Sequence, residues 1–267
     1  MAEFKLTEEQ ERLIDELVAY YVSSGGPIKR LLDSLDSFIS DAESLAHLIH
    51  SIKKRMKDPA HLKDKLIRKL RKTQEAGEQF NVSKENLFTE ITDLGGYRIL
   101  HLHTRQMDKI NRALLQVLEE AQCTVIEGPK ANVWDQETEA YFRGIGIETE
   151  YNPRLYSSVH YVVQPNSRAK VTIEVQVRTL SEEVWGEVDH KFNYPHPVDS
   201  VACNEQIKVL ARVASSCTRL VDSIFASHAD MQTAKSVENQ EGSPMVATPT
   251  TTQTSAPVAE PKTSDGK

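Results

Sequence analysis

The segment from Val171 to Thr179 constrains the fold more than any other part of the chain, because apolar and polar residues alternate along it. Successive side chains of a β-strand point to opposite faces, so the alternation predicts a strand buried on one side only. The predicted inner face carries Val171, Ile173, Val175 and Val177, and the outer face carries Glu174, Gln176 and Arg178. An acid, an amide and a guanidinium pack poorly, so the outer face is predicted to hold a metal ion, a hydroxyl and a phosphate.

A second acid and a second guanidinium lie well upstream, where Asp93 and Arg98 flank the glycine pair in Asp93-Leu-Gly-Gly-Tyr-Arg98. Two acids that are distant in sequence and share one divalent cation are typical of phosphoryl and nucleotidyl transferases. The two segments together therefore predict a site for that kind of transfer.

The composition argues against several classes of protein. The 267 residues contain no long apolar run and no apolar signal core near the N-terminus, so we expect neither a membrane span nor secretion. Cys123, Cys203 and Cys217 are odd in number and widely spaced, which matches no zinc or disulfide framework and indicates reduced thiols in a cytoplasm. The net charge of −7 argues against wholesale nucleic-acid binding.

One stretch departs from this acidic character. From Lys53 to Lys72, ten of the twenty residues are Lys or Arg. A local cationic run in an acidic protein favours a small polyanion such as a nucleotide over a duplex. A solvated helix face is the simpler interpretation for Lys63 or Lys72 alone. Since the chain has neither a G-x-x-x-x-G-K-[ST] loop nor a G-x-G-x-x-G motif, side chains and a metal ion would have to hold the phosphates.

Periodicity and capping signals predict helices at both ends of the chain and alternating elements between them. A capping-box pattern, Thr7 to Gln10, precedes the first helix, and Pro59 falls in the first turn of a later one. Further helices are predicted at 28–39, 41–54, 59–77, 107–121, 180–192 and 198–231. Strands are predicted at 97–103, 123–126, 156–163 and 169–178.

This order of elements predicts an α/β (α+β) fold, with a small mixed β-sheet flanked by helices. We divide the chain into an N-terminal helical segment 1–44, a central domain 45–195, a C-terminal helical segment 196–232 and a tail 233–267. The tail is rich in Thr, Ser and Pro, so it cannot bury enough apolar area to offset the entropy of ordering and is predicted to be disordered.

Four blocks of the central domain resemble, in order, the synthetase domain of the RelA/SpoT family, the (p)ppGpp or alarmone synthetases. They are Arg55-Met-Lys57 with Lys65, Asp93-Leu-Gly-Gly-Tyr-Arg98, Tyr156-Ser-Ser-Val-His160, and Glu174-Val-Gln-Val-Arg-Thr179 followed by Trp185 and Asp189-His-Lys191. The resemblance covers roughly residues 45–195. It implies a nucleotidyltransferase-like fold and transfer of the β,γ-pyrophosphate of ATP to the 3′-hydroxyl of GDP or GTP, as a GTP diphosphokinase of the stringent response.

The resemblance also implies roles for individual residues. Asp93 and Glu174 would bind Mg²⁺, and Glu174 would also accept or orient the proton of the 3′-hydroxyl. The ATP-binding residues would be Arg55 and Arg98 around the adenine, with Lys57 and Lys65 on the phosphates. The acceptor nucleotide would contact Tyr156, His160, Gln176, Arg178, His190 and Lys191. Trp185 is most simply a core residue, and Glu182 and Glu183 are most simply charges at a helix N-terminus.

Departures from the family pattern leave the acceptor open. The usual Asn-Gly is missing before Tyr156, Ser157 replaces the customary arginine, and Asp189 replaces a glutamate. No His-Asp hydrolase motif precedes the four blocks, so we expect a stand-alone small synthetase that makes its product without degrading it.

Two rival functions remain. Some small relatives are toxins that act on the tRNA 3′ end or on adenine nucleotides, although the acidic chain argues against a tRNA acceptor. A non-catalytic nucleotide sensor is least favoured, because binding alone would not require both acids. The oligomeric state is open, since some relatives are tetramers and the 198–231 helix could supply an interface.

Overall fold

The strands form one mixed sheet in the order β1-β2-β6-β5-β3-β4, within the residues that the structure describes, 5–195 and 197–241. The structure is a computed structural model. The strands are β1 Ser51–Met56, β2 Gly95–His101, β3 Cys123–Val133, β4 Glu148–Tyr151, β5 Ser158–Pro165 and β6 Ile173–Thr179. The alternating segment forms the inner strand β6, which runs parallel to β2 and antiparallel to β5. The predicted mixed sheet flanked by helices is therefore confirmed.

One face of this sheet is apolar and lies under helices. Val175, Val177 and Ile173 are at most 1% exposed, and Tyr97 of β2 and Tyr161 of β5 are fully buried. Helices α2 and α6 pack on the strands from this side. Burying each large apolar side chain stabilises the fold by about 1.5–3 kcal/mol, so the main core lies between this face and the helices.

The helices begin and end at recognisable signals. They are α1 Glu8–Ser24, α2 Gly26–Asp41, α3 Glu43–Ala46, α4 Pro59–Glu75, α5 Leu87–Glu90, α6 Met107–Glu120, α7 Gln136–Gly144, α8 Leu180–Asn193 and α9 Val201–Glu241. Thr7 and Gln10 form the predicted capping box of α1, and Asp58 caps α4 directly before Pro59. In the described part of the chain, no helix is both long enough and apolar enough to cross a membrane.

The prediction of a helix over 41–54 is wrong. Helix α3 ends at Ala46, and β1 begins at Ser51 and pairs antiparallel with β2. Lys and Arg are good helix formers, but pairing with the edge of the sheet outweighs that weak preference. The cationic run therefore begins on a strand and continues on α4 after Asp58.

Elements at the edge of the sheet formed by β3 and β4 were also missed in the sequence analysis. Strand β3 continues to Val133, well past the predicted end at 126, and its register with β5 shifts twice. Helix α7 and strand β4 were not predicted. The irregular register breaks the alternation on which strand prediction depends, so the far half of β3 had no clear signal. Helix α7 did have one, because Asp135 caps it and accepts from Thr138 N.

The C-terminal helices carry a small second core, here called the α9 core, which consists of Trp185, Ile207, Ala211 and Ala214. The chain divides into two compact units, residues 1–225 and 226–267. The described part of the second unit is the end of α9, which continues to Glu241, past the predicted start of the tail at 233. The rest of the predicted tail, 242–267, lies outside the described residues.

Candidate active site

The polar face of the sheet, opposite the main core, brings the predicted site residues together. The strand register places Gln176 of β6 between Arg98 of β2 and His160 of β5, and places Glu174 beside Gly96. Because these positions share one face of the pleat, their side chains point to the same side of the sheet.

Glu174 accepts hydrogen bonds at both carboxylate oxygens. His160 Nδ1 lies 2.7 Å from Oε1, and Gln176 Nε2 donates to Oε2 at 2.7 Å. Burial raises the pKa of the Glu174 carboxyl, but the hydrogen bond and charge of His160, with the bond from Gln176, outweigh burial and hold that pKa below its ordinary value. Glu174 is therefore ionised at neutral pH, with a fixed orientation.

Asp93 is held by the cationic run. Lys57 Nζ and Lys65 Nζ each lie 2.9 Å from one of its two carboxylate oxygens. Burial raises the pKa of Asp93, but the charges of Lys65 and Lys57 outweigh it, so the pKa lies below its ordinary value. Helix α1 supports this arrangement, because the Tyr21 hydroxyl donates to the Lys57 carbonyl at 2.7 Å.

Asp93 and Glu174 line the same cavity, which has a volume of about 380 Å³ and is here called the first cavity. Arg55 and Arg98 also line it. Among the described residues no group of three or more His, Cys, Asp and Glu side chains could hold a metal ion. Mg²⁺ commonly takes one or two carboxylates and completes its shell with waters and substrate phosphates, so the two acids fit a shared magnesium ion that a substrate helps to hold.

Arg98 of β2 forms ion pairs with acids of α8, and this cluster was not predicted from the sequence. Its Nη1 lies 2.9 Å from Glu183 Oε1 and 2.8 Å from Glu187 Oε1. Glu183 is only 5% exposed and also pairs with Lys53 at 2.7 Å and with Arg178. Glu183 lies in the first turn of α8, as predicted, but it is more than a helix N-terminal charge, because its carboxylate pairs with two guanidinium groups of the site.

Arg98 and Arg178 were the sequence signal from which this ion cluster could have been predicted. A buried guanidinium requires an acidic partner, and the strand positions of Arg98 and Arg178 placed both on the site face. The sequence did not say which acid would reach them. Arg178 is 4% exposed, so its part of the predicted outer face is covered rather than open to solvent.

A second cavity of about 340 Å³ adjoins the first, and both are lined by Arg55, Arg98, Gln176 and Glu187. Tyr156, Arg178 and His190 line only the second. The Nε–H of Arg178 is buried without a hydrogen-bond partner among the described residues, so an acceptor on a ligand would stabilise it.

Tyr156 lies in a loop before β5 rather than in the predicted strand 156–163. Its ring centroid is 5.8 Å from those of both His160 and Trp185, and the Arg178 guanidinium carbon is 5.9 Å from the ring. The residue before it, Leu155, has a φ of 62°, in the left-handed region that favours glycine. That conformation explains why a glycine commonly precedes this tyrosine in the pattern that the chain resembles.

The remaining predicted residues differ in their placement. The His190 ring stacks on Tyr194 with centroids 4.6 Å apart. Lys191 is exposed and lines neither cavity. Gly128, which has a φ of 89°, packs closely against the backbone of His160, where a Cβ would lie only 2.4 Å from the His160 carbonyl oxygen.

A mixed sheet with one apolar face under helices, and with two acids and paired guanidinium groups on the other, defines a nucleotidyltransferase-like fold. The family described as "Region found in RelA / SpoT proteins" matches residues 54–199, which is more than half of the 267 residues. The chain therefore belongs to the RelA/SpoT family, and the predicted family resemblance is confirmed. A comparison with curated proteins finds no match.

Solved structures share the fold at low sequence identity. The small alarmone synthetase 1 of Bacillus subtilis bound to its product pppGpp has a TM-score of 0.55 and 17% identity, covering 76% of this chain and 95% of that one. A GTP pyrophosphokinase family protein from Streptococcus pneumoniae has a TM-score of 0.51 and 16% identity, with coverages of 79% and 93%. The Bacillus subtilis enzyme bound to AMPCPP has a TM-score of 0.51 and 15% identity, with coverages of 77% and 96%.

Proposed function

We propose that the protein is a (p)ppGpp synthetase, which transfers the β,γ-pyrophosphate of ATP to the 3′-hydroxyl of GDP or GTP and releases AMP. The observation that carries this proposal is that Asp93 and Glu174 line one cavity with Arg55 and Arg98, beside a second cavity that contains Tyr156. Membership of the RelA/SpoT family supports it. Similar folds hold pppGpp in one solved structure and AMPCPP in another, which also agrees with it.

On the donor side, ATP would occupy the first cavity. Guanidinium planes stack well on aromatic rings, so Arg55 and Arg98 would hold the adenine between them. The ion pairs of Arg98 with α8 would fix its plane. Lys57 and Lys65 would contact the phosphates, and both already lie within ion-pair distance of Asp93.

On the acceptor side, the guanine nucleotide would enter the second cavity and stack on Tyr156. The unpartnered Nε–H of Arg178 would donate to an acceptor atom of the nucleotide. Gln176 already donates to Glu174, so its proposed role is to orient the carboxylate as well as to contact the nucleotide. His190 would contact the acceptor from the rim, and we assign Lys191 no direct contact.

In the reaction, the 3′-oxygen of the acceptor attacks the β-phosphorus, and the bond from that phosphorus to the oxygen shared with the α-phosphate breaks. Mg²⁺ held by Asp93 and Glu174 would neutralise charge on the phosphate oxygens. Because the pKa of Glu174 is low, its carboxylate is a weak base. Its main role would be to accept a hydrogen bond from the 3′-hydroxyl and align that hydroxyl. As the new bond forms, the proton would pass to the Glu174 carboxylate and from there to solvent, while AMP leaves with the electrons of the broken bond.

The test is an acceptor assay with purified protein, Mg²⁺ and ATP labelled in the γ-phosphate. GDP, GTP, ATP and tRNA are offered separately, and products are separated by charge. We expect label in a guanine nucleotide, with AMP formed in equal amount, and no transfer after removal of Mg²⁺ by a chelator.

Transfer of label to none of the four acceptors would refute the proposal. Label on tRNA alone, or on an adenine nucleotide alone, would favour the toxin-type alternative. The proposal includes synthesis of the alarmone in the bacterial cytoplasm during the stringent response, which this assay does not address. Size measurement on the same sample would decide whether the protein assembles, as some relatives do.

A further inference from the structure

The loop at residues 152–157, which carries Tyr156, has few backbone hydrogen bonds of its own. Leu155 N donates to Asn152 O at 3.1 Å, and Arg154 N donates to the Asn152 side chain at 3.0 Å. Leu155 is also held in the left-handed region, which costs a branched residue about 1–2 kcal/mol. Contacts outside the loop must therefore hold its conformation.

The sheet supplies two of those contacts, since Asn152 N donates to Val133 O at 2.7 Å and the Tyr156 hydroxyl lies 3.2 Å from His160 Nε2. The apolar packing comes from the α9 core. Leu155 and Tyr156 both pack against this small cluster, which is separate from the main core under the sheet. Three of its four members lie on the first turns of α9, so the loop is tied to the start of α9 as well as to the sheet.

Trp185 of α8 connects the 152–157 loop to the start of α9. It is 3% exposed, its Nε1–H donates to the Ile207 carbonyl at 3.1 Å, and its ring lies 5.8 Å from that of Tyr156. Because the indole has a single hydrogen-bond donor, this bond is satisfied in only one orientation of the ring. A buried donor without this partner would be costly, so the bond also holds α9 against α8.

We infer that Trp185 is a positioning residue, through which the start of α9 fixes Tyr156 in the orientation that receives the acceptor nucleotide. This inference rests on the proposed function, because it names Tyr156 as an acceptor-binding residue. It makes the acceptor side dependent on α9, whereas the donor side, with Arg55 and Asp93 on or beside strands of the sheet, does not depend on it.

The test compares Trp185→Phe with Trp134→Phe, which removes the other tryptophan of the chain as a matched control. Phenylalanine keeps an aromatic ring beside Tyr156 but removes the donor to Ile207 together with the five-membered ring that carries it. We expect KM for the guanine nucleotide to rise about three- to tenfold, the equivalent of one hydrogen bond, while KM for ATP stays within about twofold. The control should change neither.

A second measurement needs no activity. Hydrogen exchange of the ligand-free protein should show faster exchange in the 152–157 loop of Trp185→Phe, with β2 and β6 unchanged. Leu155→Ala, which weakens the same packing from the loop side, should raise exchange in the same loop.

Equal rises in both KM values, or unchanged exchange in the loop, would overturn the inference. If the wild type transfers no label to guanine nucleotides, the proposed function fails, and the exchange measurement still decides whether Trp185 positions the loop. Faster exchange throughout the variant would indicate a general structural role and would also overturn it.

Discussion

The donor and acceptor sides of the proposed site are built in different ways. The donor side, with Arg55, Asp93 and Arg98, lies on or beside strands whose opposite faces form the main core. The acceptor side has its central ring, Tyr156, on a loop held by the α9 core. Charged pairs dominate the first, and aromatic contacts dominate the second.

This difference indicates how well each side tolerates changes of sequence and conformation. Strand residues are fixed by backbone pairing along the whole sheet, so a donor-side position cannot move without disturbing the core. A loop held by a few packing contacts can change in sequence and conformation at lower cost. Two of the three departures from the family pattern, at Leu155 and Ser157, fall on the loop, and the third, Asp189, lies on α8.

Glu174 lines the first cavity and is hydrogen-bonded to Gln176, which lines both, and its substitution should have the largest effect. Glu174→Gln keeps the shape but removes the negative charge, so we expect kcat to fall about 10²- to 10⁴-fold. ATP affinity should stay within about tenfold, measured by calorimetry. Glu148→Gln, at an exposed carboxylate of the edge strand β4, is the control and should retain activity. A fully active Glu174→Gln would remove this residue from the mechanism.

Substitution of Gly95 tests whether the donor side depends on packing of the main core. A Cβ there would lie 2.5 Å from Ile28 Cγ2 and 2.7 Å from Ile173 Cγ2. Gly95→Ala should lower the free energy of unfolding by about 1–3 kcal/mol, measured by urea denaturation. Gly96→Ala is the matched control, because its Cβ would meet Arg55 Cγ at an ordinary 3.5 Å. Equal stability of the two variants would contradict this view of the donor side.

Arg98 tests whether its planar guanidinium matters beyond its charge. Arg98→Lys keeps a cation near Glu183 and Glu187 but loses the plane that would stack on adenine. We expect KM for ATP to rise about tenfold, while KM for the guanine nucleotide stays nearly constant. Steady-state kinetics with each substrate varied in turn would measure both. A larger change for the guanine nucleotide would reverse our assignment of the two cavities.

The smallest expected effect comes from Glu182 and Glu183 of α8, whose pKa values are shifted in opposite directions. Burial raises the pKa of Glu182 to about 7, whereas for Glu183 the cations Lys53, Arg178 and Arg98 outweigh burial and lower the pKa. A carboxyl whose pKa is raised on folding binds its proton more tightly when folded. Glu182 therefore adds stability as the pH falls from about 7 towards its ordinary 4.5.

Thermal unfolding across this pH range measures the effect. Glu182→Gln should flatten the gain in stability between pH 7 and pH 4.5 while keeping an acceptor for the Thr179 cap. Glu183→Gln should instead lose stability at neutral pH, and its difference from wild type should shrink only as the pH falls below the ordinary pKa of glutamate. If both variants follow the wild-type curve in shape, the opposite shifts are wrong.

The sequence by itself determined the central strand and the family. Alternation over 171–179 determined which side chains of β6 face the main core, because the period of a strand is two. The motif at Asp93 to Arg98 and the helix signals at Thr7 and Pro59 were equally local, so one sequence sufficed to predict them.

Only the tertiary structure decided which groups meet. It placed β1 where a helix was predicted, because the sheet edge offered backbone partners that local preference does not record. It brought Glu183 to Arg98 and Arg178, and it placed Trp185 between α9 and Tyr156. Such contacts join residues far apart in the chain or on different elements, and their energies depend on burial and distance, which no local pattern of residues specifies.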